Sequence, residues 1–250
     1  MAELIVALDT PDLGIAQDLV ERLHPQTKWF KIGLELFSAS GPRAVEAVQA
    51  KNGIVFLDLK YLDIPNTVQS AVHVAAGLGV KMLTVHLSGG QRMIHAAREG
   101  ILSGTPSGAA PPLLVGVTML TSLNQQDISW MAREAAAEGP SPGELALVLA
   151  ERGYQWGVDG VVCSAREAAQ IKSINGTGCI CVTPGIRMPL GAQDVVPQDD
   201  QSRTLTPAEA VRAGVDFLVV GRPITRADDP AYAAMAFLHA MAEKNERRHP

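Results

Sequence analysis

Lys31, Asp58, Lys60 and Asp63 alternate in charge within or beside apolar sequence, the densest stretch being Ile54-Val55-Phe56-Leu57-Asp58-Leu59-Lys60-Tyr61-Leu62-Asp63. Successive strand side chains point to opposite faces, so Phe56, Asp58 and Lys60 share one face while Leu57 and Leu59 share the other. A carboxylate and an ammonium on a buried strand are unfavourable unless they pair or take part in chemistry. The segment is therefore a candidate active site. Asp63 also has a structural explanation, since Asp ahead of Pro65 suits a helix N-cap, and only its nearness to Asp58 and Lys60 argues for the site.

A second set of residues suits an anion. Gly221 and Arg222 fall between a predicted strand and a helical turn opening at Pro223. Glycine lets the backbone approach a ligand closely and arginine offers a bidentate fork, although an ordinary turn with a solvated arginine has the same sequence. The stretch Thr183-Pro184-Gly185-Ile186-Arg187, continuing to Asp199-Asp200-Gln201-Ser202-Arg203, is rich in groups able to hold a phosphate and close over it. Thr206-Pro207-Ala208-Glu209 reads as a capping box and is assigned to structure. His86 is the histidine placed for a site; His24, His73, His95, His239 and His249 read as surface residues of helices or termini.

Short β-branched runs alternating with amphipathic stretches must position these groups. Strands are predicted at Leu4–Asp9, Trp29–Gly33, Ile54–Lys60, Val80–His86, Leu113–Thr118, Gly157–Cys163, Cys179–Val182 and Asp216–Val220. Helices are predicted at Asp12–Leu23, from Gly33 to about Ala50, and at Asp63–Leu78, Gly90–Leu102, Gly143–Arg152, Ala165–Ile174, Pro207–Ala213 and Asp229–Lys244. Eight βα units in 250 residues match a single-domain (β/α)8 TIM barrel spanning 1–250. A doubly wound open sheet is the alternative, disfavoured by the count and by the lack of a Gly-x-Gly-x-x-Gly after the first strand. Asp9, Lys31, Asp58, Lys60, His86, Thr118 and the Gly221-Arg222 pair then all fall at C-terminal strand ends, where barrel active sites lie. Two connections there are long, Thr121–Pro142 and Pro184–Thr206, as lids and binding loops tend to be.

Apolar residues at 47% and charged ones at 19% describe a globular chain with a substantial core. The net charge of −5 and the lack of a basic stripe argue against a nucleic-acid binder. No apolar run approaches the ~18 residues of a membrane span, and the start at Met1 has no basic region or cleavage site, so a cytoplasmic protein is expected. Cys163, Cys179 and Cys181 lack metal-ligand spacing and read as reduced core residues.

At Asp58-Leu59-Lys60-Tyr61-Leu62-Asp63-Ile64-Pro65-Asn66-Thr67 the chain resembles the orotidine 5′-phosphate decarboxylase family in its bacterial form. The likeness extends through Ala7-Leu8-Asp9, Lys31-Ile32-Gly33, Gly160–Ser164, Thr183–Arg187 and Val220–Thr225. One departure is the stretch between Arg187 and Asp200-Gln201, longer than the family's by several residues. The resemblance implies decarboxylation of orotidine 5′-monophosphate to uridine 5′-monophosphate, the last step of de novo pyrimidine synthesis, without metal or cofactor. It implies Lys31, Asp58, Lys60 and Asp63 as a charged tetrad, with Lys60 protonating C6. It further implies Asp9 at the ribose, Thr121 at the pyrimidine, and Arg187, Gln201, Gly221 and Arg222 at the phosphate. Asp63 and Thr67 would reach the neighbouring subunit's site in a homodimer. The rivals are a Mg²⁺-dependent sugar-phosphate decarboxylase or synthase on the same barrel and a non-catalytic phosphosugar-binding protein.

Overall fold

Parallel strands need a crossover that returns the chain to the same end, and a helix packed on the sheet is the usual one. The computed structural model, which describes residues 1–129, 139–188 and 205–243, builds that alternation around a closed ring. Its strands are β1 (Glu3–Ala7), β2 (Trp29–Gly33), β3 (Ile54–Tyr61), β4 (Met82–His86), β5 (Leu113–Val117), β6 (Gly160–Val162), β7 (Ile180–Thr183) and β8 (Phe217–Val220). Each pairs in parallel with the next, and β8 returns to β1 from Glu3↔Phe217 to Val6↔Val220. The barrel is as expected, and its closure excludes the open sheet.

Strand alternation divides the core into two layers. Ile5, Ala7, Phe56, Met82, Val115, Val182 and Val219 fill the barrel. Their neighbours Leu4, Val6, Leu8, Phe30, Ile32, Leu57 and Leu83 face the helices. Each large apolar side chain buried this way contributes about 1.5–3 kcal/mol. Trp29 and Phe217, edge to face at 5.2 Å, close the N-terminal end.

The helices are α1 (Leu13–Leu23), α2 (Leu34–Ser40), α3 (Pro42–Gln49), α4 (Pro65–Gly77), α5 (Gly90–Gly104), α6 (Gln125–Ile128), α7 (Pro142–Gln155), α8 (Ala165–Asn175), α9 (Pro207–Arg212), α10 (Arg222–Thr225) and α11 (Pro230–Ala242). Asp12 caps α1 by accepting from Ile15 N at 3.0 Å, and Ala16, Leu19, Val20 and Leu23 form its buried stripe. The single helix expected up to Ala50 is two, because Gly41 at φ 57° breaks it and Pro42 opens α3.

Strands β4, β6 and β8 begin later than expected, for one shared reason. Gly79-Val80-Lys81, Gly157-Val158-Asp159 and Gly214-Val215-Asp216 each turn the chain with a glycine at positive φ and bury the valine. The two aspartates then reach back to the preceding strand: Asp159 Oδ2 accepts from Leu114 N and Asp216 Oδ2 from Cys181 N, both at 2.7 Å. All three cysteines are free and lie in the layer under the helices, and burial pushes the Cys179 thiol up to about 12. Among the described residues, no helix is long and apolar enough to cross a membrane.

Candidate active site

β1, β2 and β3 lie side by side, so their C-terminal ends bring together charges far apart in sequence. Lys31 Nζ donates to Asp9 Oδ1 at 2.9 Å and lies 3.9 Å from Asp58 Oδ2. Lys60 Nζ donates to the same Asp58 oxygen at 2.8 Å. The result is a continuous row, Asp9–Lys31–Asp58–Lys60, of alternating sign. Its middle is the most shielded part, with Asp9 half exposed at 48%, Asp58 nearly covered at 11% and Lys60 opening again to 28%.

The row depends on an irregularity in β3. Leu57 pairs with Leu83 and Tyr61 with Val85, so Asp58, Leu59 and Lys60 together stand opposite Thr84 alone. Lys60 takes φ 50°, a left-handed conformation rare for a side-chain-bearing residue and costing on the order of 1–3 kcal/mol. Its amide donates to Thr84 Oγ1 at 2.9 Å, and that hydroxyl donates to Asp58 Oδ1 at 3.0 Å. Phe56 and Leu57 face inward and outward as alternation requires, but Lys60 reaches Asp58 through a bulge.

Across the opening, the loop after β7 carries Arg187 and the turn after β8 carries Gly221 and Arg222. Burial and the neighbouring Arg222 charge hold the Arg187 guanidinium below its ordinary pKa. Two cations set within each other's field create a place for an anion. Gly221 lies against Asp9, whose Oδ2 would be 3.2 Å from an added Cβ.

Both sets line one cleft of about 270 Å³, floored by Ala7, Phe56, Val117, Val162, Val182 and Val219. Asp9, Lys31, Asp58, Lys60, Thr121, Arg187, Gly221 and Arg222 all border it. Met119, Leu120, Ser122, Pro184 and Gly185 also line it. Ser122, Pro184 and Gly185 belong to the two long connections expected to bind, whereas Met119 and Leu120 were missed, their available signal being position just past β5.

Other residues stand apart. Asp63 is exposed, does not line the cleft, and accepts from Ile64 N at 2.6 Å. It does not cap α4 either, because Ile64 holds the cap position. Thr67 is exposed in the first turn of α4. Gln201 lies outside the described residues. His86 ends β4 half-buried and off the cleft lining, its pKa lowered by burial and the Lys60 charge, with Asp58 opposing. Among the described residues, no cluster of three or more His, Cys, Asp or Glu could hold a metal ion.

A protein named orotidine 5′-phosphate decarboxylase from Nitratidesulfovibrio vulgaris is 48% identical over 242 residues, covering 97% of this chain and 98% of that protein. One of the same name from Laribacter hongkongensis is 45% identical over 244 residues, covering 98% and 95%. The crystal structure of orotidine 5′-phosphate decarboxylase from Lactobacillus acidophilus superposes with a TM-score of 0.81 at 35% identity, covering 97% of this chain and 100% of that one. The model of the Orotidine 5′-phosphate decarboxylase / HUMPS family matches residues 2–237, and with these relatives it establishes that the chain belongs to that family.

Proposed function

We propose that this chain is a carboxy-lyase that converts orotidine 5′-monophosphate to uridine 5′-monophosphate in pyrimidine synthesis. The observation that carries the reading is the alternating row ending at Lys60, across one cleft from the Arg187–Arg222 pair. A nucleotide fits that polarity, its phosphate at the arginines and Gly221 and its base over the lysines. Gln201 joins them at the phosphate, while Thr121 meets the pyrimidine and Asp9 the ribose.

The C6–carboxylate bond breaks, CO₂ leaves, and the electron pair stays on C6. The Lys60 ammonium stabilises that charge and transfers a proton to C6, and the amine left behind regains its proton from water. Asp58 and Lys31 hold Lys60 in place, and Asp58 beside the departing carboxylate adds repulsion in the ground state. Phosphate binding remote from C6 supplies energy to assemble this arrangement.

We extend the reading to a homodimer with shared sites, each chain contributing one barrel domain over 1–250. Asp63 and Thr67 lie off their own chain's cleft beside exposed Leu62 and Ile64, which supports their service in a partner's site. Three reduced, buried cysteines fit the reducing cytoplasm, and the net charge of −5 fits a protein without nucleic-acid partners.

The test is an ultraviolet assay of orotidine 5′-monophosphate loss with and without EDTA. Activity that survives exhaustive chelation supports the reading. Activity that collapses with EDTA and returns with Mg²⁺ transfers support to the sugar-phosphate rival, and binding without turnover supports the phosphosugar-binding one.

A further inference from the structure

We infer that Thr84 is a positioning residue for the proposed proton transfer, acting through Asp58 and Lys60 without touching the substrate. Thr84 is fully buried in β4 and does not line the cleft. It is the only β4 residue opposite the three-residue bulge of β3, and its hydroxyl meets both ends of that bulge.

Hydroxyl chemistry fixes the direction of both bonds. Thr84 Oγ1 has one proton to give. The Lys60 amide can only donate, so it takes a lone pair of the oxygen, and the proton goes to Asp58 Oδ1. Asp58 then has one oxygen held by Thr84 and the other by Lys60 Nζ at 2.8 Å. The same hydroxyl therefore sets the rotation of the Asp58 carboxylate and supports the left-handed backbone of Lys60. Both determine where the Lys60 ammonium stands. Without the hydroxyl, the Lys60 N–H loses its partner and the carboxylate keeps only its ammonium contacts.

This inference rests on the decarboxylase reading, so the experiment has a kinetic and a structural arm. Thr84→Val matches threonine in shape and lacks the hydroxyl, whereas Thr84→Ser retains it. The expected result for Thr84→Val is a fall in kcat of about 10- to 100-fold, as small misplacements of reacting groups produce. KM for orotidine 5′-monophosphate and the affinity for uridine 5′-monophosphate should stay near normal, and Thr84→Ser should restore kcat. Hydrogen exchange at the Lys60 amide should be slow in the wild type and the serine variant and fast in the valine variant. Should the valine variant fail to fold, Thr84→Cys, with its weaker donor and acceptor, should give a kcat between those of serine and valine.

Normal kcat in the folded valine or cysteine variant overturns the inference, as does a serine variant as slow as valine. Unchanged exchange at Lys60 also overturns it. A folded wild type without decarboxylase activity removes the function on which the inference rests, a result separable from the exchange arm.

Discussion

Both ends of the barrel carry close carboxylate–cation pairs, and what else each carboxylate binds separates them. At the N-terminal end, Asp216 meets Lys172 at 2.7 Å and Asp159 meets Arg98 at 3.0 Å. Each of these aspartates also accepts from the backbone N–H of a strand's second residue. They tie α8 and α5 to the sheet. At the C-terminal end, Asp58 accepts from two side chains, Lys60 Nζ and Thr84 Oγ1, and its cation borders an open cleft. An ion pair tied to backbone stabilises a barrel. One held only by side chains, with its ammonium facing a cavity, keeps that ammonium available for chemistry.

The largest expected effect follows from removing the C-terminal cation. Lys60→Ala should lower kcat by on the order of 10⁴-fold or more, since it deletes both the proton donor and the charge beside C6. The variant should stay folded, because no strand N–H loses an acceptor and the Asp58 carboxylate keeps the Thr84 hydroxyl and the Lys31 charge. Near-normal turnover in this variant would place the acid elsewhere.

The next effect asks whether the C-terminal end is completed by a second chain. Lys60→Ala and Asp63→Ala proteins should each be nearly inactive alone. Mixed under conditions that exchange subunits, they form heterodimers in which one site holds both intact residues and the other holds both lesions. Those heterodimers should recover up to half the activity of a normal dimer. Verified exchange without recovery would assign Asp63 to its own chain.

Arg222 gives a smaller effect of another kind. Its charge-assisted hydrogen bonds to a phosphate are worth about 1.5–3 kcal/mol, so Arg222→Ala should raise KM for the nucleotide by roughly 10- to 150-fold. A substrate without phosphate should be nearly indifferent to the change. Equal damage to both substrates would give Arg222 a role in the fold or the chemistry.

The contrast between the two ends was only half legible in the sequence. Alternating apolar runs gave the eight strands, and charged residues at strand ends marked the C-terminal opening. Asp58, Lys60, Lys31 and Arg222 were found that way, because a strand-end charge shows against apolar neighbours, and Arg187 by its place in a connection rich in anion-holding groups. The bulge in β3 was not legible, since register is set by pairing with β4 and nothing local in Leu59-Lys60-Tyr61 announces φ 50°. Thr84 was hidden for the same reason, as a threonine suits any strand. Asp9 was expected at the site, but that its carboxylate also meets Lys31 is a contact between β1 and β2 that spacing cannot reveal. The Gly-Val-Asp repeats at the N-terminal end were present in the sequence, but their meaning lies in the strand N–H that each carboxylate reaches.

The smallest effect belongs to that N-terminal end. Asp216→Ala removes an acceptor from Cys181 N and a partner from Lys172, whose side chain is only 13% exposed. Leaving a buried donor unsatisfied costs about 1–3 kcal/mol, so urea denaturation should shift by that amount with an unchanged slope. Asp216→Asn keeps an acceptor oxygen for the amide and should lose less. In both variants kcat of the folded protein should stay within about twofold of normal, because the change lies at the opposite end of the strands from the cleft. A large fall in kcat with intact stability would mean that the N-terminal pairs also set the geometry of the catalytic row, and the division between the two ends would fail.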